Sequence, residues 1–260
     1  MEGRRSKPHE YGCMNMDRVR VDRRDRVAVI TLVDRERRNA MTATMVHEIV
    51  ETFDALEADA ETGAVVVTGE PPAFCSGADV AALGSLSSQR DDRDRREVGS
   101  IYEGFLRVLR STLPTVAAVN GPAVGAGFNL ALACDVRLAG VSARFDTRFL
   151  RIGLHPGGGH TWMLERAVGP QAAAAMVVFG ERVDGPRAAE IGLAWACHPD
   201  DELIERAVEL AARAAAVPKE LAGATLDTLR EAPWQPDFAA AVTTEIGRQT
   251  WSMGQGWFRP

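Results

Sequence analysis

The chain has 260 residues, 46% of them hydrophobic and 25% charged, which suits one large domain with or without a small helical appendage. A net charge of -6 and the lack of a basic patch interleaved with aromatics exclude a nucleic-acid binder. No apolar run reaches the roughly 18 residues of a membrane span, and the arginine-bearing N-terminus lacks the apolar segment of a secretory signal. Residues 1–16 are polar and aperiodic and read as a flexible tail, with Met14 or Met16 as an alternative start. Residues 27–32 form an apolar, β-branched run that reads as a strand. Met45, Ile49, Phe53 and Leu56 then recur at helical spacing behind Thr42, a capping residue. Residues 65–68 read as a buried strand, residues 80–83 as a short helix, and the alternating charges of 89–97 as a solvated loop or helix face. Tyr102, Phe105, Leu106 and Leu109 make a helical stripe that Pro114 stops. A strand at 116–119, a helix at 129–133 and a strand at 136–139 follow, then a glycine-rich loop at 153–159. Beyond it helices dominate, at 172–179, from Asp184, and at 203–216, with Pro218 closing the last.

Two glycine-rich turns stand out in this order. Phe74-Cys75-Ser76-Gly77-Ala78-Asp79 follows the second strand, and Gly121-Pro122-Ala123-Val124-Gly125-Ala126-Gly127-Phe128-Asn129 follows the third. Each leads toward a helix, so each leaves unpaired backbone N–H groups at the positive end of a macrodipole. Two such turns facing one point make a hole for a negatively charged oxygen, the arrangement a thioester enolate needs. Cys13, Cys75, Cys134 and Cys197 show no CxxC spacing and read as reduced thiols in a cytoplasmic protein, Cys75 and Cys134 being buried structural residues.

Six motifs occur in one register: Arg37-Arg38-Asn39-Ala40-Met41, Ala73-Phe74-Cys75-Ser76-Gly77-Ala78-Asp79, Ala118-Val119-Asn120-Gly121-Pro122-Ala123, Leu132-Ala133-Cys134-Asp135, Gly153-Leu154-His155-Pro156-Gly157-Gly158-Gly159 and Gly180-Glu181-Arg182-Val183. On these the chain resembles the crotonase (enoyl-CoA hydratase/isomerase) superfamily. The resemblance implies an α/β fold, a spiral of ββα units, with a core over residues 17–200 and a C-terminal helical, oligomerising region over 201–260. It implies assembly as a homotrimer or dimer of trimers, and acyl-CoA thioesters as ligands. Coenzyme A enters only as part of the substrate, and no other cofactor or metal is implied. By register, the hole is assigned to the N–H groups of Ser76 and Ala126. Arg38-Asn39-Ala40 and Gly77-Ala78-Asp79-Val80 match the stretches that hold the adenine and pantetheine ends, although Asp79 reads more readily as a cap on local amides. Ser76 is not read as a nucleophile, because no base is placed beside it.

The departures from the family pattern bear on the reaction. Hydratases of this family carry two glutamates, at the positions where Asn129 and Phe149 stand. Asparagine can hold a water but exchanges no proton near neutral pH, and phenylalanine does neither. The replacement candidates are Asp146, facing the pocket or paired with Arg148 or Arg151, and His155, acting as an acid/base or bonding loop backbone. His160 reads as structural, Trp162 and Met163 as core or pocket wall, and Asp135 as a backbone-bonding residue. Arg248 is a candidate for phosphate contact. Two functions stay open: a lyase or isomerase of fatty-acid-type metabolism with a relocated acid/base, and a catalytically degenerate acyl-CoA-binding or carrier protein.

Overall fold

The computed structural model describes residues 16–78 and 92–258. Asp79, Val80 and the helix expected over 80–83 lie outside the described residues. Within the charged run, 92–97 are helical, opening α2 (Asp92–Leu109).

Three strands come from the β-branched runs: β2 (Val27–Leu32), β3 (Ala64–Gly69) and β4 (Thr115–Val119). Every residue of all three is buried, the pattern of parallel strands covered on both faces. With β1 (Val19–Arg24), β6 (Val136–Gly140) and β9 (Ala196–His198) they form a six-stranded sheet in the order β1-β2-β3-β4-β6-β9, parallel except for the β1–β2 hairpin. A second sheet holds β5 (Pro122–Val124), β7 (Arg144–Asp146) and β8 (Val183–Asp184) in the order β5-β7-β8. A strand of the large sheet, a strand of the small sheet and a helix recur as a unit. β4 and β5 lead into α3 (Ala126–Ala133); β6 and β7 lead through a 3-10 turn (Phe149–Ile152) into α4 (His160–Val177), which breaks at Gly169-Pro170. This is the α/β architecture the motifs imply, with two sheets and C-terminal helices.

One face of the large sheet packs under α1 (Ala43–Ala58), α2 and α3, with Ile30, Phe53, Phe74, Phe105 and Phe128 in the main core. The other face carries α6 (Leu203–Ala215), whose Leu203, Ala207, Ala211 and Ala215 recur every four residues and meet Val29, Val66 and Ala118. Thr42 caps α1 as expected, accepting from Met45 N–H at 3.2 Å, and Asp184 caps α5 (Gly185–Glu190) through Arg187 N–H. Asp135 bonds backbone as expected, accepting from Thr115 N–H at 2.9 Å, and it also receives Arg230 of α7 (Lys219–Glu231). The last helix is α8 (Phe238–Met253). Among the described residues no helix is long and apolar enough to cross a membrane.

Two further single-residue bridges set the position of the first glycine turn. Cys75 pairs with Ala123 of β5, and Ala78 pairs with Met41 ahead of α1. The turn after β3 is thereby tied on one side to the second glycine turn and on the other to the loop after β2.

Candidate functional site

The two turns meet at a cavity of about 450 Å³. Gly77 has φ +98°, and a Cβ there would fall 2.5 Å from the Val124 carbonyl oxygen and 3.5 Å from Ala126 N, so only glycine lets the turns close on each other. Gly125, at φ 52° and ψ -115°, turns the chain into α3 and donates its N–H to the Asp146 carbonyl at 3.0 Å. Ala126 is then the first helical residue. Its N–H is one of the orphan donors of a helix start, and Ala126 lines the cavity.

The partner amide differs from the sequence assignment. Ser76 N–H donates to the Arg38 carbonyl at 3.0 Å, and its hydroxyl donates to the Arg37 carbonyl at 2.8 Å. Both polar groups of Ser76 are spent on the loop after β2, which removes it as a hole donor and leaves its hydroxyl without a free role. Two residues on, Ala78 lines the cavity, and its N–H has no acceptor among the described residues. The Gly77 carbonyl accepts from Met41 N–H at 2.9 Å, which ties this stretch to the loop ahead of α1.

The cavity wall brings Ala40, Gly77, Ala78, Ala126, Asn129, Phe149 and His155 together as the motifs suggest. Arg37 lines it; Arg38 does not, being exposed at φ 53° with its carbonyl committed to Ser76. Asn39 is fully buried and faces inward. Its Oδ1 accepts from Asp34 N–H at 2.9 Å, and its Nδ2 donates to the Glu70 and Ala73 carbonyls, each at 2.8 Å. It therefore pins the two loops under the site and offers nothing to a ligand. Tyr102, Thr147 and Leu154 also line the cavity. Sequence reading placed Tyr102 only in a core stripe, because helical spacing cannot say which core face opens onto a pocket.

Asp146 is corrected too. Its carboxylate pairs with Arg151 and with Arg182, the latter at 3.3 Å, and it does not line the cavity. Of the two readings the sequence left open, pairing is the one realised, with Arg182 added. Its part at the site is the carbonyl that receives Gly125 N–H. His155 is exposed at the cavity rim. Its Nδ1 lies 2.7 Å from the Pro156 carbonyl oxygen, which can only accept, so Nδ1 carries a proton, and in the neutral ring the lone pair is on Nε2. The loop-backbone expectation for His155 is met through Nδ1, and its Nε2 has no hydrogen-bond partner among the described residues. Among the described lining residues none is Asp or Glu.

Behind this wall, Asn129 donates from Nδ2 to the Gly157 carbonyl at 3.1 Å, and its Oδ1 lies 2.6 Å from Nδ1 of His160. His160 is 1% exposed, with the rings of Phe128 and Phe149 at 5.3 and 5.0 Å in edge geometry. Burial pushes its pKa down from 6.5 to about 4, so it is neutral at pH 7. A depressed folded-state pKa contributes stability that is complete above about pH 6.5 and is lost as the pH falls toward 4. Urea unfolding at pH 7, 5.5 and 4 should therefore show the native chain losing about 3 kcal/mol more than His160→Phe over this interval. Parallel losses in the two proteins would mean that His160 protonates freely in the fold.

Met163 is core, but Trp162 is neither core nor cavity wall. It is 43% exposed and stacks on Trp234 at 5.7 Å, with Arg166 over its ring at 4.2 Å. Arg248 lines a separate groove between α7 and α8 with Leu229 and Trp251. Cys75 and Cys134 are free and buried as read, and burial raises both thiols to about 12.

A family profile described as enoyl-CoA hydratase/isomerase matches residues 22–246, over the same glycine turns and cavity. The chain belongs to the enoyl-CoA hydratase/isomerase family. A relative described as a probable enoyl-CoA hydratase, from Mycobacterium tuberculosis, is 49% identical over 205 residues, covering 78% of each chain. The 2,3-dehydroadipyl-CoA hydratase of Escherichia coli is 34% identical over 77% of this family member and 76% of its own length. Among solved structures, the enoyl-CoA hydratase of Bacillus anthracis superposes with a TM-score of 0.85 at 26% identity, covering 92% of each chain. A Thermobifida fusca protein solved in complex with acetoacetyl-CoA superposes with a TM-score of 0.81 at 31% identity, covering 92% of this family member and 95% of that chain.

Proposed function

We propose that the cavity receives the acyl thioester of a coenzyme A ester, and that the N–H groups of Ala78 and Ala126 hold its carbonyl oxygen as negative charge develops. The observation that carries this reading is the closure of the two turns at Gly77, which brings Ala78 and Ala126, whose N–H groups have no acceptor among the described residues, onto one cavity wall. The acetoacetyl-CoA complex of the Thermobifida fusca relative supports the ligand class. Such a hole stabilises an enolate by two hydrogen bonds that strengthen as charge builds on the oxygen, and it needs no reorganisation at that moment.

The proton carrier is His155. With Nδ1–H tied to Pro156, Nε2 takes a proton from the carbon next to the thioester carbonyl. The electron pair moves onto the thioester oxygen in the hole, and the same nitrogen returns the proton two carbons further along, shifting the double bond. This is a lyase- or isomerase-type reaction of fatty-acid-type metabolism, without the paired-carboxylate hydration mechanism. On the motif register Asn129 and Phe149 fall at the positions of those carboxylates, and no Asp or Glu is among the described lining residues, which supports this reading. We read the protein as cytoplasmic and as a homotrimer or dimer of trimers, and exposed apolar side chains such as Phe179, Trp195 and Phe238 support association.

One observation favours a second reading. Phe149 makes the wall apolar where a carboxylate would be charged, which suits retention of an acyl chain by a carrier. Incubation with 3-butenoyl-CoA, whose carbon next to the thioester carbonyl still carries the two hydrogens this step needs, separates the two. The enzyme reading expects consumption that His155→Ala lowers about 10²-fold or more. Saturable binding with the ester unchanged over hours would assign the carrier role, and no binding at all would end both.

A further inference from the structure

The Asn129 carboxamide sits between two groups of known polarity. The Gly157 carbonyl can only accept, so Nδ2 faces it and Oδ1 faces His160. At 2.6 Å from that oxygen, Nδ1 of His160 must carry the imidazole proton. Nε2 is then bare, and it has no partner in its buried position among the described residues. This is the tautomer an imidazole disfavours in water, and an unpaired buried nitrogen is costly. The compensation is a fixed amide: a swap of Oδ1 and Nδ2 would set oxygen against oxygen at Gly157. Among the described residues one Nδ2–H and one lone pair of Asn129 have no partner, on a side chain that lines the cavity.

Asn129 follows Ala126 by three residues in α3, so the two share a helix face about 5–6 Å apart. An acyl group whose carbonyl oxygen lies at Ala126 N–H can therefore bring its second and third carbons within reach of Asn129. We propose that His160 is a positioning residue that locks the Asn129 amide as a neutral hydrogen-bond donor toward the third acyl carbon, so that the cavity selects acyl thioesters bearing an oxygen there, such as 3-oxoacyl-CoA, over plain alkanoyl-CoA. The proposal rests on the acyl-thioester reading of the cavity.

The test compares acetoacetyl-CoA with butyryl-CoA by calorimetry in the native protein, His160→Phe, Asn129→Ala and the double variant. The native protein should bind acetoacetyl-CoA about five- to tenfold more tightly, the worth of one neutral hydrogen bond. The ratio should fall to about one in each single variant, with no further change in the double variant, because His160 acts only through Asn129. His160→Gln, whose amide N–H can reach the same oxygen, should restore part of the preference. Nitrogen-15 spectra of the unliganded native protein should show His160 protonated on Nδ1, a readout independent of any variant's folding. A proton on Nε2, equal binding of the two esters by the native protein, or an intact preference in a folded His160→Phe overturns the proposal. If neither ester binds the native protein, the acyl-thioester reading itself falls, and the selectivity with it.

Discussion

Ala126→Pro should lower turnover of an acyl-CoA ester about 10²–10³-fold while the protein stays folded. Proline is accepted at the first position of a helix, where its fixed φ suits the chain and its missing N–H had no intrahelical acceptor. Ala126 is that position in α3, and the residue before it, Gly125, is already outside the right-handed helical region. The substitution therefore deletes one donor of the proposed hole with little cost to the helix. Removing one such donor typically costs about 3–4 kcal/mol of transition-state stabilisation. Steady-state kinetics beside a thermal melt would check it, with Ala126→Ser, which keeps the amide, as the control. Near-native turnover in a folded Ala126→Pro protein would remove this amide from the mechanism. If the protein is a carrier, the same variant should lose affinity for the ester instead.

Gly127→Ala should destabilise the protein by about 3 kcal/mol or more and disturb the cavity with it. A Cβ at Gly127 would lie 2.1 Å from the Cys75 carbonyl oxygen and 2.7 Å from both the Cys75 carbonyl carbon and Cβ. Backbone, unlike the end of a flexible side chain, cannot step aside. Cys75 is held in place because its N–H donates to the Pro122 carbonyl and its carbonyl accepts from Val124 N–H. Either α3 lifts or the first glycine turn moves, and both separate Ala78 from Ala126. Gly247→Ala, on α8 with nothing within 4 Å of its added methyl, should instead gain about 0.5–1 kcal/mol. Urea denaturation of the two variants measures the contrast; similar midpoints would mean that Cys75 and α3 are not in close contact.

The residues themselves determined the buried strands β2, β3 and β4, the caps Thr42 and Asp184, both glycine turns and the family motifs. In each case the controlling physics is local: β-branched apolar runs, a side-chain oxygen within three residues of the N–H it accepts from, and glycine where the backbone must turn tightly. Strands β5, β7, β8 and β9 have two or three residues each, too few for any period to show, and they exist because a neighbouring chain pairs with them.

The tertiary structure alone decided which amide of the first turn is left without an acceptor among the described residues. The Arg38 carbonyl, from a loop far back in the chain, takes the Ser76 N–H and leaves Ala78. It alone turned Asp146 toward Arg151 and Arg182, buried Asn39 under two loops, and set His160 against Asn129 across 31 positions. Hydrogen-bond donors and acceptors take whichever partner folding brings within 3 Å, and that partner need not be near in sequence.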